Sequence, residues 1–360
     1  MFKYLYLSSL IFYNYANPLV RISILLFLII YPAAKLLNRE KYWSIPNEIK
    51  YLSIFYILWL FTILLSLLIN VNTFELNLSG PAVEMLTPIV YGWIILSWYF
   101  ATQFSKDNLD MDRRSQIVIS LSLIAFIAFF DVLARYLQEP DCFMNYLCRF
   151  EAKTVGFFST SNATGLSLMF ILIFLRLIGG YLLFEIIFLL ILITTMARAS
   201  IISYLLCITG IVFFKSSIRI QILLGFPLLI TLILGVIYDP LELASDGSAN
   251  SKADFFKAAY ILIDQGTFVE LLFGFGASFS AITLKLNVNE WSPHVPILKS
   301  FMYYGLVGVF FYIMSLVFIL SKFRLLIWPT LGYLISGLAG APIVFLAYAW
   351  AIWVIKVSYD

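Results

Sequence analysis

The sequence predicts an all-α, polytopic integral membrane protein of about 12 transmembrane helices, with a large outer loop that contains an amphipathic helix. Three observations predict it. Hydrophobic residues make up 62% of the 360-residue chain and charged residues 12%, and mean hydropathy is +0.97, whereas soluble domains are about half apolar. Apolar windows approaching the roughly 20 residues of a bilayer-crossing helix recur with few long polar gaps between them. The alternating ten-residue pattern of a barrel strand does not occur, so in lipid the backbone must pair its polar groups within helices.

The windows fall near 2–16, 18–37, 51–70, 85–101, 117–136, 162–178, 181–196, 199–214, 218–237, 297–320, 325–339 and 341–356. The first is expected to be an uncleaved span rather than a signal peptide, because aromatics fill it and no small-residue cleavage site follows. With no internal repeat and no separate soluble domain, residues 1–360 read as a single membrane domain.

Basic residues in the short connections set the expected orientation. Arg39, Lys41 and Lys50 share one connection, Lys106, Arg113 and Arg114 a second, Lys215 and Arg219 a third, Lys322 and Arg324 a fourth. With twelve spans all four fall on one side, which the positive-inside rule makes the cytoplasm, together with both termini. The opposite face then receives the two long polar segments, 137–161 as a first outer loop and 238–296 as the large one. Cys142 and Cys148 share the first, where one local disulfide or two free thiols can stand, and Cys207 lies in an apolar run. The net charge of +3 implies no nucleic-acid partner.

Six basic residues break the charge rule. Arg149, Lys153, Arg198, Lys252, Lys257 and His294 land on the outer side or at its boundary. Arg198, in "MARAS" between two apolar runs, reads either as a snorkelling arginine at a tight turn or as an anion ligand, since guanidinium suits bidentate phosphate recognition and intramembrane charge is by default functional. In "SDGSANSKADFFKAAYILID", Ala253, Phe256, Lys257 and Tyr260 recur at helical spacing, which predicts the amphipathic surface helix. Lys252 at its start suits an anionic head group, or lipid in general.

Glycines and polar residues complete the set. In "FGFGASF", Gly274 and Gly276 allow positive φ or close approach of backbone to a ligand. Asn162, at the entry to a span, is either a helix cap or a polar contact for substrate. His294 is the chain's single histidine and directly precedes an apolar run; a lone histidine is ordinarily an inert loop residue, and the case for this one rests on the glycine-rich turn and lysine-bearing helix before it. With one histidine and no P-loop, CxxC pair or Ser-His-Asp order, neither metal nor cofactor is expected.

Taken in order, "MARAS", "SDGSANSKADFFKA", "LLFGFGASF" and "SPHVPILKSFMYYGLVGVFFY" resemble the O-antigen polymerase and O-antigen ligase superfamily. Its members show a Ser-Arg-Gly-like segment, a Gly-Ser-rich start to a large periplasmic loop with a basic residue, a Leu-Phe-Gly-x-Gly turn, and a histidine followed by a Gly-Leu-x-Gly span. The likeness covers roughly residues 149 to 310. This chain departs from the pattern at three positions: Ala197 replaces serine, Lys252 an arginine, and Val295 a polar residue after His294.

The resemblance implies a GT-C-like glycosyltransferase of the bacterial inner (cytoplasmic) membrane, acting on the periplasmic side without nucleotide sugar or metal. Undecaprenyl-diphosphate-linked oligosaccharides serve as donor and acceptor, membrane lipid surrounds the protein, and a chain-length regulator protein is a further partner such a reaction accommodates. It further implies Arg198 and Lys252 as diphosphate contacts with Arg149 or Lys153 beside them, His294 as general base on the acceptor hydroxyl or as a diphosphate donor, and Gly274 and Gly276 as closing a loop over the sugar. The polymerase is the favoured activity. One rival is the ligase of the same superfamily, which transfers finished glycan to lipid A-core. The other, a flippase for lipid-linked oligosaccharide, would need polar residues along a central path, where Asp131 and Glu185 are the main acidic residues within spans.

Overall fold

The computed structural model describes residues 2–12, 26, 30, 47–69, 99–100, 103–104, 112–140, 161–195, 197–215, 260–275, 296–337 and 346–359. Among these residues the regular structure is all helical, with no strand. The elements are α1 (Phe2–Phe12), α2 (Asn47–Ile69), α3 (Arg113–Gln138), α4 (Ser161–Ile178), α5 (Leu182–Thr194), α6 (Arg198–Lys215), a short α7 (Phe268–Phe273), α8 (Pro296–Lys322), a 3-10 turn (Arg324–Leu326), α9 (Ile327–Gly337) and α10 (Leu346–Tyr359). Apart from α7, each helix falls on an apolar window read from the sequence. The window near 218–237 lies outside the described residues, as does nearly all of those near 18–37 and 85–101. Two stretches, α3 and residues Tyr304–Lys322 of α8, are long and apolar enough to cross a membrane.

Helix boundaries follow local chemistry. Asp112 caps α3, its Oδ2 accepting from the Ser115 N–H at 3.2 Å. Hydrogen bonds from the Ser115 side chain and then its backbone hold the Asp112 carboxyl below the usual carboxylate range. Pro140, without an N–H, stops any continuation at the other end. Gly179 and Gly180, at φ 75° and 81°, end α4 in the left-handed region that L residues avoid. Arg176 and Glu185 pair at 3.6 Å across that turn.

The core is built around α4. Residues 164–175 are all buried, as expected of a helix apolar on every side. Phe170 stacks on Tyr333 at 5.2 Å and lies 5.8 Å from the Tyr348 ring, while Phe174 meets Trp350 edge-on at 5.6 Å. Small residues let neighbours close in: a Cβ on Gly332 would stand 2.8 Å from Ile173 Cδ1, and one on Gly210 2.5 Å from the Trp328 ring. Several buried polar side chains bridge helices. Trp350 Nε1 donates to Ser120 Oγ at 2.9 Å, Tyr348 OH meets Thr330 Oγ1 at 2.7 Å, and Ser336 Oγ donates to Ser203 Oγ at 2.8 Å.

Outward faces are apolar too. Ile54, Ile57, Phe61, Leu64 and Leu68 of α2, Phe126, Phe129 and Phe130 of α3, and Leu182, Leu183, Ile186 and Leu190 of α5 are all exposed. Exposed basic residues stand instead at helix ends. Lys50, Arg113, Arg114, Arg176, Lys215, Lys322 and Arg324 are exposed. Contacts between Tyr51 and Phe318 (6.1 Å) and between Phe214 and Trp328 (5.8 Å) bring the α2, α6, α8 and 3-10 members of that group to one end. Near the start of α3, Lys3 is buried and donates to the Phe104 carbonyl at 2.7 Å.

Phe170→Ala should cost about 3–5 kcal/mol through the cavity left between Tyr333 and Tyr348. Phe129→Ala, on an exposed face, should move stability by less than about 1 kcal/mol. Thermal unfolding of the two variants in detergent measures the difference.

Candidate functional site

Of the residues singled out by the sequence, His294, Lys252, Arg149, Lys153 and Gly276 lie outside the described residues, as do Lys257, Cys142 and Cys148. Cys207 is buried and free, its Sγ 3.6 Å from the Trp328 carbonyl. Arg198 is the first residue of α6 and Asn162 the second of α4. Gly274 is placed in full.

The starts of α4 and α6 lie against each other. A Cβ on Gly165 would collide with the Cβ of Ala197 and stand 3.1 Å from Ser200 Oγ. Only three residues separate α5 from α6. Thr195 shapes that turn, donating to the Leu192 carbonyl at 2.7 Å and accepting from the Ala197 N–H at 3.3 Å. The Ala197 carbonyl accepts from the Ile201 N–H at 3.0 Å, which makes Ala197 the capping position of α6. Alanine brings no side-chain acceptor there, whereas serine, threonine, aspartate or asparagine would satisfy a first-turn N–H.

Beside these starts stands a buried charge cluster of which the sequence reading named only Asp131. Asp131 and Arg135, one turn apart on α3, are 0% and 1% exposed. Arg135 Nε donates to Asp131 Oδ2 at 3.2 Å and its Nη2 to Oδ1 at 3.5 Å. Thr164 of α4 donates to the same Oδ2 at 2.7 Å. One turn position further, Tyr136 OH donates to the Thr194 carbonyl at the end of α5, at 2.8 Å. The far end of α3 is thus tied to both α4 and α5. The signal for it was "DVLAR", an acid and a base at i,i+4 inside an apolar window.

The glycine-rich turn is a second junction. Thr267 and Glu270 form a reciprocal capping box that starts α7. Gly274 ends it at φ 89°, and Phe275 then donates its N–H to the Met302 carbonyl of α8 at 2.8 Å. An unbroken helix would use that carbonyl for the N–H four residues on. Here α8 kinks at Gly305 (φ 66°, ψ −166°). A Cβ at 305 would collide with the Leu272 carbonyl and stand 2.5 Å from the Gly274 nitrogen. Backbone here packs directly on backbone, which joins "LLFG" to "MYYGLVG". Ser300, one turn before the kink, has a buried hydroxyl without a hydrogen-bond partner.

Both junctions lie away from the cationic end, since α3 and α8 run between the two. Among the described residues no group of three His, Cys, Asp or Glu could hold a metal ion. Fold and site together define a class: an all-α protein with apolar faces inside and out, whose irregular backbone and buried charge gather where helices start. Comparison with family models, curated proteins and solved structures finds no match.

Gly305→Ala should combine left-handed strain with collision and cost more than about 3 kcal/mol, whereas Gly180→Ala, at φ 81° with nothing within 4 Å, should cost only about 1–2 kcal/mol of strain. Thermal unfolding decides between them. Asp131→Asn removes the carboxylate that Arg135 meets at 3.2 Å in a buried setting, at a cost of about 3–5 kcal/mol. The double variant Asp131→Asn/Arg135→Gln should regain most of that loss in the yield of monodisperse protein.

Proposed function

We propose that the protein is a multi-pass membrane glycosyltransferase that joins undecaprenyl-diphosphate-linked oligosaccharide repeat units, an O-antigen polymerase of the bacterial inner membrane with its site on the periplasmic face. The observation that carries the reading is the docking of the Gly274 turn on α8 through the Phe275–Met302 hydrogen bond at 2.8 Å. Two motifs of the resemblance, some thirty residues apart in the chain, are one structural unit. The exposed apolar faces support embedding in lipid, with about twelve crossings. Exposed cations gathered at helix ends support a cytoplasmic placement of that end, with both termini beside it.

The chemistry asks for few groups. A hydroxyl oxygen of the acceptor's distal sugar attacks the anomeric carbon of the donor glycan; the carbon–oxygen bond to the lipid diphosphate breaks, and the lipid diphosphate leaves as the anion. Cations must stabilise that leaving group and a base must take the hydroxyl proton. Arg198 and Lys252 are assigned to the diphosphate, with Arg149 or Lys153 as a further positive contact. His294 takes the proton or donates to the diphosphate.

A lipopolysaccharide gel tests the reading. A strain lacking the gene should show lipid A-core bearing a single repeat, and the wild-type gene should restore the ladder. His294→Ala and Arg198→Ala, expressed at normal levels, should fail to restore it. A bare core in the deletion strain would instead identify the ligase, and an unchanged ladder would remove the function altogether.

A further inference from the structure

The Asp131 carboxylate is buried in an apolar helix, and among the described residues Arg135 of its own helix and Thr164 of α4 donate to it. The bond from Thr164 comes from a neutral hydroxyl on a different helix. Its distinct effect is to hold the first full turn of α4 against α3. The next residue, Gly165, lets that turn press on Ala197, the capping position of α6. A chain of two contacts therefore runs from a buried charge to the backbone on which Arg198 begins.

We propose that Asp131 and Thr164 are positioning residues for the anion site at the start of α6: through the Gly165–Ala197 contact they set where that helix begins relative to α4. This rests on the reading of Arg198 as a diphosphate contact. Phosphate recognition by a guanidinium depends on direction as well as charge. A start displaced by a fraction of an ångström therefore loses affinity while the fold survives. Neither Asp131 nor Thr164 need touch the diphosphate.

The test measures binding of undecaprenyl diphosphate to the purified full chain in detergent, alongside the unfolding temperature. Thr164→Val keeps the shape and removes the donor. It should weaken binding about tenfold, equivalent to about 1.4 kcal/mol, with Thr164→Ser restoring wild-type affinity. Thr330→Val deletes a comparable buried bond, to Tyr348 at 2.7 Å, away from the site; it should lower the unfolding temperature and leave affinity unchanged. Should Thr164→Val not fold, Ala197→Gly loosens the other half of the link and should weaken binding likewise. Wild-type affinity in Thr164→Val, or equal weakening in Thr330→Val, would overturn the positioning role alone. No binding of undecaprenyl diphosphate by the wild type would remove the diphosphate reading and the proposal together.

Discussion

Apolar side chains line both the interior and the outer faces of this helix assembly, so hydrocarbon burial alone cannot decide which face of a helix turns inward. The structure depends on that constraint. What remains to discriminate are a few polar bridges and a few places where the absence of a side chain permits close approach. The Asp131–Thr164 bond orients α3 on α4, Ser120–Trp350 orients α3 on α10, and Ser336–Ser203 orients α9 on α6. Gly165, Gly210 and Gly332 add contacts that a methyl group would block. Each bridge matters because an unpaired polar group in apolar surroundings is costly.

The same constraint governs irregular backbone. A kink within an apolar helix frees a carbonyl that water cannot reach, and such a defect persists only where another group takes the bond. At Gly305 that group is the Phe275 N–H. The kink and the turn are mutually dependent: Gly274 turns the chain so that Phe275 reaches α8, and Gly305 makes the room that the Leu272 carbonyl occupies. This places a shaped segment of chain directly against the helix that follows His294, where the proposed reaction needs its acceptor hydroxyl and base.

Charge is distributed by similar logic. Most basic residues stand exposed at helix ends, where long side chains reach polar surroundings. Arg135 is instead buried beside Asp131 near the starts of α4 and α6, as Lys3 is near the start of α3. A buried ion pair is a poor source of stability, so its place there is better explained by what it orders than by what it adds. The residue after Thr164, Gly165, lies against Ala197, so the cluster stands where α3, α4 and the start of α6 meet.

Composition and periodicity were enough to determine the helical class and to place α1 to α6 and α8 to α10, because long apolar runs without strand-like alternation favour helix. The positive φ of Gly274 was also legible, since glycine after "LLF" and before an aromatic marks a helix end. Partners were not. The sequence showed two acids within spans and did not show that Asp131 meets Arg135 and Thr164, because the i,i+4 neighbour is local whereas Thr164 is thirty-three residues away. Nor did it show that the close approach at Gly274 is made to Gly305, or that Ala197 rests on Gly165. Such pairings are set by helix packing, and where apolar residues face every direction only the three-dimensional fit of small and polar groups selects one packing over another.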